Sequence, residues 1–222
     1  MNTYSHALLA AAFKRPLDKR VEKDPDALPP VTMSALIVGS FIPDFLLTIL
    51  SIAFIIRDMI VGAFDVVDFE QLEPGQPTPQ EWLDASLTLR LFDVWFFENP
   101  WVITIQQLFH SPLLLIVYIA AAYWFWKRNT PWAGWFFWLS IAAMFHTLLD
   151  IPLHVDDGPL LLFPLNWSWR FISPISYWDP EYYGREWTYF ETALDIALII
   201  YFLWIYRTNM WGWLQRRFRT PA

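Results

Sequence analysis

Four long apolar runs limit the folds that this chain can adopt. They cover about residues 32–56, 101–126, 132–151 and 187–206, and each is close to the roughly 20 residues that a helix needs to cross a bilayer. Backbone groups in lipid must find their hydrogen bonds within the segment, so such runs are expected to be helical. We therefore predict an all-α integral membrane bundle of four transmembrane helices, folded as a single membrane domain over residues 1–222.

The composition supports this class and excludes others. Hydrophobic residues make up 56% of the chain and charged residues 17%, and there are 15 tryptophans, several of them near the ends of the runs as in interfacial aromatic belts. The chain has no cysteine, which excludes disulfides and a thiolate metal site. No basic or repetitive tract suggests nucleic acid, so the lipid bilayer is the expected partner.

The distribution of charge predicts the orientation. Lysine and arginine crowd before the first run, in the Lys127-Arg128 turn and in the C-terminal tail, whereas the stretch from Asp58 to Glu98 has nine acids against Arg90 alone. Positive charge favours the cytoplasmic side. We therefore predict that both termini are cytoplasmic and that residues 58–100 and 152–186 form outer segments.

Two further helices are predicted outside the four spans. Residues 1–13 are apolar but too short to cross a bilayer, so we expect a short re-entrant or interfacial helix there, followed by a loop over residues 16–31. In the first outer segment, Thr78-Pro79-Gln80-Glu81 has the pattern of a capping box with proline at the first helical position. It predicts an amphipathic helix on the outer surface that ends near Phe97.

Ionisable residues at the end of the third run are the main clue to function. His146 and Asp150 are four residues apart and share a helical face, and His154 continues this row if the helix survives Pro152. Two imidazoles beside a carboxylate suit zinc and similar divalent ions. A hydrogen-bonded polar trio at a helix end would have the same spacing, so both interpretations stay open.

Other polar residues are expected to converge on the same level of the membrane. Counting back equally from the turn before Trp132 places His110 level with Leu148, and charges that face lipid cost several kcal/mol. The residues expected to meet in the outer half of the membrane are Asp44, His110, His146, Asp150, Glu191 and Asp195. His6 joins them if the N-terminal helix is re-entrant. A cluster of acids in lipid requires a cation or shared protons.

Several of the candidate residues also have a purely structural explanation. Asp44 could hydrogen-bond backbone groups freed by Pro43, and His110 could do the same beside Pro112. Glu191 and Asp195 could pair with arginines of the outer segment, and Asp157 could be a turn residue before glycine.

Four short motifs together resemble a known family. Ser5-His6-Ala7, Gly39-Ser40-Phe41-Ile42-Pro43-Asp44, Phe109-His110-Ser111 and His146-x-x-x-Asp150 occur in the order seen in the LexA-regulated inner-membrane metal-dependent hydrolases, the YdjM-like family. The pattern is similar, more distantly, to zinc-dependent bacterial phospholipase C. The resemblance implies a multi-span protein of the bacterial inner membrane.

The resemblance also implies a ligand set. Asp44, His110, His146 and Asp150 look like the main metal ligands, and His6 and His154 like contributors to a neighbouring metal position. The chain departs from the family where Phe45 follows Pro-Asp in place of a further acid, and where Phe109 precedes the His-Ser pair in place of threonine. These departures leave one metal ion or two open.

We therefore predict a metal-dependent hydrolase that acts on a phosphoester or other ester of a lipid-like substrate. The metal, expected to be zinc, would activate a water, with Glu191 or Asp157 as general base and Arg170 contacting a phosphate oxygen. The alternative is a non-catalytic membrane subunit of a larger complex that retains the polar cluster. An ion carrier is a third interpretation, but the chain lacks repeat symmetry and paired broken helices.

Overall fold

The computed structural model describes residues 1–68 and 77–217, with only the backbone described for residues 208–217. Within these ranges the α-helices are α1 (Thr3–Lys23), α2 (Met33–Ile60), α3 (Gln80–Ala85), α4 (Leu87–Arg90), α5 (Phe96–Glu98), α6 (Pro100–Gln107), α7 (Pro112–Lys127), α8 (Ala133–Asp150) and α9 (Gly184–Arg217). The described part contains no β-strand, only an isolated bridge between Leu160 and Arg170. The all-α prediction is confirmed.

Three helical stretches are long and apolar enough to cross a membrane. They are Met33–Ile60, Ala133–Leu153 and Gly184–Arg207. Helices α6 and α7 meet this description only as a pair, and they are bent by 45° at the break between them. The described chain therefore has three candidate spans, or four if the bent pair counts as one.

The second apolar run is two helices and not the single helix that we predicted for residues 101–126. Ser111 is extended, with φ −83° and ψ 122°, because the ring of Pro112 disfavours the helical conformation of the residue before it. Pro112 then occupies the first turn of α7, where its missing N–H costs nothing. The break places His110 between two helices.

Helix α2, in contrast, continues through Pro43 without a break. The preceding turn packs closely on α8, since a Cβ at Gly39 would lie 2.2 Å from the carbonyl oxygen of Leu139. Small residues permit such an approach of two membrane helices. The close packing brings Asp44 of α2 towards the polar end of α8.

The N-terminal helix is also longer than predicted, since residues 16–23 are helical and not part of a loop. Lys14 Nζ pairs with Asp18 Oδ2 at 2.5 Å, one turn apart across Pro16, and basic residues occupy the last turn, where they offset the helix dipole. Val21 is buried in the core. Packing and charge therefore outweigh the proline.

Helix α8 is at the centre of the bundle. It packs against α2 on one side and α7 on the other, while α1 packs on α2 and α9 contacts α1. The core between these helices includes Leu36, Phe137, Trp138 and Leu139. The Trp138 indole N–H donates to the Pro29 carbonyl at 2.9 Å, which ties the chain before α2 to this core.

Residues 58–100, the first predicted outer segment, form short helical pieces in the part that the structure describes, and not one amphipathic helix. The predicted capping box is wrong, because Pro79 precedes α3 as its N-cap without a side-chain hydrogen bond, and the Thr78 hydroxyl donates to Asp93. The segment breaks at Ser86, where the buried carboxylate of Asp58 accepts from the Ser86 hydroxyl at 2.7 Å and from the Thr88 N–H at 2.9 Å. A residue distant in sequence therefore caps the next helix.

Candidate metal centre

Helix α8 supplies two adjacent polar side chains at its last turns. His146 and Asp150 follow the helical spacing of four residues, and both are buried. The His146 Nε2 lies 2.9 Å from Asp150 Oδ2. The face that carries them points into the bundle, where ordinary solvation of the carboxylate is lost.

Two other elements bring further ligand atoms to this face. Asp44 comes from α2, and His110 comes from the break between α6 and α7. His110 Nε2 lies 3.2 Å from Asp150 Oδ2, and His146 Nε2 lies 3.5 Å from Asp44 Oδ1. One ligand atom from each of Asp44, His110, His146 and Asp150 lies within 4.8 Å of the others. We call these four residues the metal centre.

The hydrogen bonds of His146 define the chemistry of the centre. Its Nδ1 lies 2.8 Å from the Ser40 carbonyl oxygen, and a carbonyl only accepts, so Nδ1 carries the proton. In the neutral ring, Nε2 is then unprotonated, and its lone pair faces the carboxylates of Asp44 and Asp150. The lone pair and the negatively charged carboxylate oxygens repel each other at these distances. The arrangement therefore requires either a second proton on the ring, at Nε2, or a cation between these atoms. An imidazole held by a backbone carbonyl is also a common arrangement in metal sites.

The start of α1 covers the metal centre. The Thr3 hydroxyl donates to Asp44 Oδ2 at 2.5 Å, and the N-terminal ammonium of Met1 lies 3.1 Å from Asp150 Oδ1. His6 Nε2 lies 2.9 Å from the same oxygen, and its ring stacks on His146 with centroids 3.8 Å apart. His6 therefore contacts the centre, although it is outside the four-residue group.

The acids of α9 also face the start of α1. Glu191 accepts from the Asn2 backbone N–H at 2.7 Å and from the Trp187 indole at 3.2 Å. Asp195 accepts from the Ser5 hydroxyl at 2.8 Å. Both carboxylates are buried. Their partners come from α1 and α9, and not from the arginines of the outer segment.

His154 lies beyond the helical row and outside the four-residue group. Helix α8 ends at Asp150, the short 3-10 turn Ile151–Leu153 follows it, and His154 is extended. Its Nδ1 lies 2.9 Å from Asp157 Oδ1. Burial alone would raise the pKa of Asp157, but hydrogen bonds from His154 and Trp178 and the charge of His154 hold this pKa below its ordinary value. The two residues form a separate pair.

Arg170 has partners in both predicted outer segments. Its guanidinium donates to the Gly158 carbonyl and lies over the rings of Phe96 and Phe97, at 5.1 and 5.5 Å from their centroids. Burial lowers the pKa of Arg170, and the negative charges of Asp157 and Asp156 oppose this effect. The predicted contact with a phosphate oxygen stays a prediction.

Several residues at the site were not found from the sequence. Thr3 and Asn2 reach the carboxylates only because α1 packs beside α2 and α9. Tyr177 is another, since burial raises its pKa and the negative charges of Asp44, Asp150, Asp157 and Glu191 raise it further. Its N–H donates to the Leu153 carbonyl at 2.9 Å, which holds Tyr177 beside the 3-10 turn that follows α8. No local pattern marks these residues.

Comparison with known proteins supports the membrane assignment. The family model described as YdjM inner membrane protein matches residues 1–215. No curated protein and no solved structure matches the chain. The protein is thus a member of the YdjM inner membrane protein family.

Proposed function

We propose that this protein is a metal-dependent hydrolase of the inner membrane that acts on a phosphoester or other ester of a lipid-like substrate. The observation that carries the proposal is the convergence of Asp44, His110, His146 and Asp150 within 4.8 Å, with His146 Nε2 directed at two carboxylates. Two imidazole nitrogens and two carboxylate oxygens are a donor set that suits zinc, and no thiolate is needed.

The chain's own residues would orient the ligands. The Ser40 carbonyl fixes the His146 ring, and Thr3 holds the second oxygen of Asp44. A bound zinc ion would supply an acidified water and polarise the scissile group. His6 contacts Asp150 and is proposed as a ligand of a neighbouring metal position, which a second ion would occupy. His154 is proposed for that position as well, although its nearest acid is Asp157.

The general base is proposed to be Asp157 or Glu191. The side chain of Asp157 is 24% exposed, so water can reach it, whereas Glu191 is buried and already accepts two hydrogen bonds. This difference favours Asp157. Arg170 lies in the same outer segment as Asp157 and is proposed to contact a phosphate oxygen once its guanidinium leaves the Gly158 carbonyl.

The depth of the centre supports a lipid-like substrate. Helix α7 has 16 residues and α8 has 18, which correspond to about 24 and 27 Å of rise. Helix α7 ends and α8 begins at the Lys127–Ala133 turn. His110, just before α7, and Asp150, at the end of α8, therefore lie about one helix length from this turn. The hydrocarbon core is about 30 Å thick. The centre therefore lies near the opposite boundary, where lipid ester and phosphate groups are found.

The proposed topology has four spans, with α6 and α7 together forming the second, in a single membrane domain. Its support is the bent pair and the basic turn at Lys127-Arg128. Both termini are proposed to be cytoplasmic, which places the metal centre towards the outer face.

A second function is supported by one specific observation. Asp150 already accepts from the Met1 ammonium and contacts three imidazoles, so protons could balance its charge without a metal. The protein would then be a non-catalytic subunit of a membrane complex, with the centre serving assembly.

A lipid hydrolysis assay distinguishes the two functions. Purified protein loaded with zinc is incubated with phospholipid vesicles, and the products are measured by mass spectrometry. We expect the natural protein to release either a water-soluble headgroup or a fatty acid, and Asp150→Asn to release neither. Asp18→Asn, at a half-exposed carboxylate of α1, is the matched control and should retain activity. Absence of hydrolysis with co-purification of a larger complex would favour the subunit.

A further inference from the structure

The second outer segment contains an apolar hairpin-like element, residues 159–172, that we call the aromatic finger. Its sequence from 159 to 169 is PLLLFPLNWSW, without a charged residue. A bridge joins Leu160 to Arg170, and the Leu161 N–H donates to the Trp169 carbonyl at 3.1 Å. Asn166 Oδ1 accepts from the N–H groups of Ser168 and Trp169 at 2.9 and 2.7 Å. The finger is therefore held in shape by its own hydrogen bonds.

The base of the finger is anchored at the break between α6 and α7. The Leu160 N–H donates to Gln107 Oε1 at 2.9 Å, and the Ser111 hydroxyl donates to the Phe163 carbonyl at 2.9 Å. The Leu160 and Phe163 side chains are buried in a small apolar cluster with Ile103. Gln107 and Ser111 flank His110, so the finger is fixed to the part of the chain that carries a metal-centre residue.

The rest of the finger exposes large apolar side chains. Leu165 is 81% exposed, Ile172 75%, Trp169 51% and Trp167 45%. An ordered loop that places several such residues on its surface requires an apolar environment around them, because contact with water is unfavourable. Tryptophan in particular favours the boundary between lipid headgroups and acyl chains.

The depth of the base identifies that environment. Ser111 lies one α7 length, about 24 Å, from the basic turn at Lys127, and the hydrocarbon core is about 30 Å thick. The base therefore lies just inside the opposite boundary of the core. The neighbouring surface of the bent span is itself apolar, with Trp101 79% and Ile116 58% exposed. The helix pair that holds the base of the finger therefore also exposes apolar side chains.

We propose that the aromatic finger lies in the interfacial layer of the bilayer, with phospholipid as its partner. The headgroup–acyl boundary is contacted by Leu165, Ile172 and the two tryptophans. The base of the finger is hydrogen-bonded to the helical break beside His110. This placement of the finger rests on the proposed four-span topology and does not depend on hydrolysis.

Site-directed labelling tests the proposal cleanly, because the natural chain has no cysteine. Single variants Leu165→Cys and Ile172→Cys carry an environment-sensitive fluorophore, and the full chain is reconstituted in phosphatidylethanolamine–phosphatidylglycerol vesicles. Glu181→Cys, an exposed position of the same outer segment, is the aqueous control. Ile116→Cys, an exposed position of α7, is the lipid control. Quenching is measured with headgroup nitroxide lipid, with acyl-chain nitroxide lipid and with aqueous iodide.

We expect headgroup nitroxide lipid to quench both finger positions at least about three-fold more strongly than Glu181, and acyl-chain nitroxide to quench Ile116 most strongly. Iodide should quench Glu181 most strongly. Finger positions that match Glu181 in iodide quenching would overturn the proposal, since the finger would then lie in water. Protection from all three quenchers would also overturn it, because a protein surface would then cover the finger.

Discussion

The His146 Nδ1–H donates a hydrogen bond to the Ser40 carbonyl at 2.8 Å, and this bond turns Nε2 of the same ring towards Asp44 and Asp150. The two carboxylate oxygens lie 3.5 and 2.9 Å from Nε2. A backbone carbonyl on α2 therefore decides which nitrogen of a histidine on α8 faces the acids.

Asp150 is predicted to be the most sensitive residue of the centre, because it contacts the Met1 ammonium and three imidazoles. Asp150→Asn should lower zinc affinity by more than about 100-fold, since it removes an anionic ligand and not only an outer contact. It should also lower the free energy of unfolding by about 3 kcal/mol, because the buried Met1 ammonium loses its carboxylate partner. Calorimetric titration and thermal unfolding in detergent measure the two effects. Unchanged affinity in this variant would contradict the ligand assignment.

Gly39 is predicted to set the distance between α2 and α8. A Cβ there would lie 2.2 Å from the Leu139 carbonyl oxygen and 2.8 Å from the Ala142 Cβ, so Gly39→Ala should push the helices apart and cost about 1–3 kcal/mol of stability. Zinc affinity should fall as well, because Asp44 moves away from α8. Val38→Ala, on the exposed side of the same turn, is the control. A Gly39→Ala protein with full stability and affinity would show that this contact does not position Asp44.

Gln107 is predicted to position His110 without contacting the metal. Gln107→Leu leaves the buried Leu160 N–H without its acceptor and should reduce zinc affinity by about 10-fold, as loss of an outer contact does. Gln107→Glu keeps an acceptor oxygen and should restore most of the affinity. The absorption spectrum of a cobalt-substituted protein reports whether the ligand geometry changes. Equal affinity and spectra in Gln107→Leu and the natural protein would rule out this positioning role.

Asp58 is predicted to be structural, in contrast to the acids of the centre. Its carboxylate accepts from Ser86, Leu87 and Thr88, so Asp58→Ala should cost about 1–3 kcal/mol of stability and leave zinc affinity unchanged. Asp84→Ala, at an exposed ion pair with Arg90, should change stability by less than about 1 kcal/mol. Chemical unfolding with parallel zinc titration separates the two properties. Loss of zinc binding in Asp58→Ala would contradict the purely structural role of this residue.

Local spacing was enough to predict part of the centre. His146 and Asp150 share a face because a helix repeats every 3.6 residues, and equal counting from the turn at Lys127 predicts the level of His110. Asp44 follows from the cost of a charge in lipid. These residues depend on helix geometry and on the membrane, both of which can be read from the chain.

Contacts between distant segments could not be predicted in this way. Thr3 meets Asp44 and Asn2 meets Glu191 only because α1 packs on α2 and α9, and no periodicity in the first six residues specifies that packing. The capping box at Thr78 failed for a similar reason, since Asp58 and Pro79 determine where the outer helices begin. His154 does not continue the predicted row, because α8 ends at Asp150 and the 3-10 turn that contains Pro152 follows it.

Metal analysis of the purified protein tests the central claim most directly. The natural protein is purified in detergent without chelator, incubated with zinc, passed through a desalting column and measured by plasma mass spectrometry beside the double variant His110→Ala plus Asp150→Ala. We predict about one zinc ion per chain in the natural protein, or two if His6 and His154 complete a second position, and none retained by the variant. Absence of stoichiometric divalent metal in the natural protein, or equal metal in the two proteins, would contradict the account.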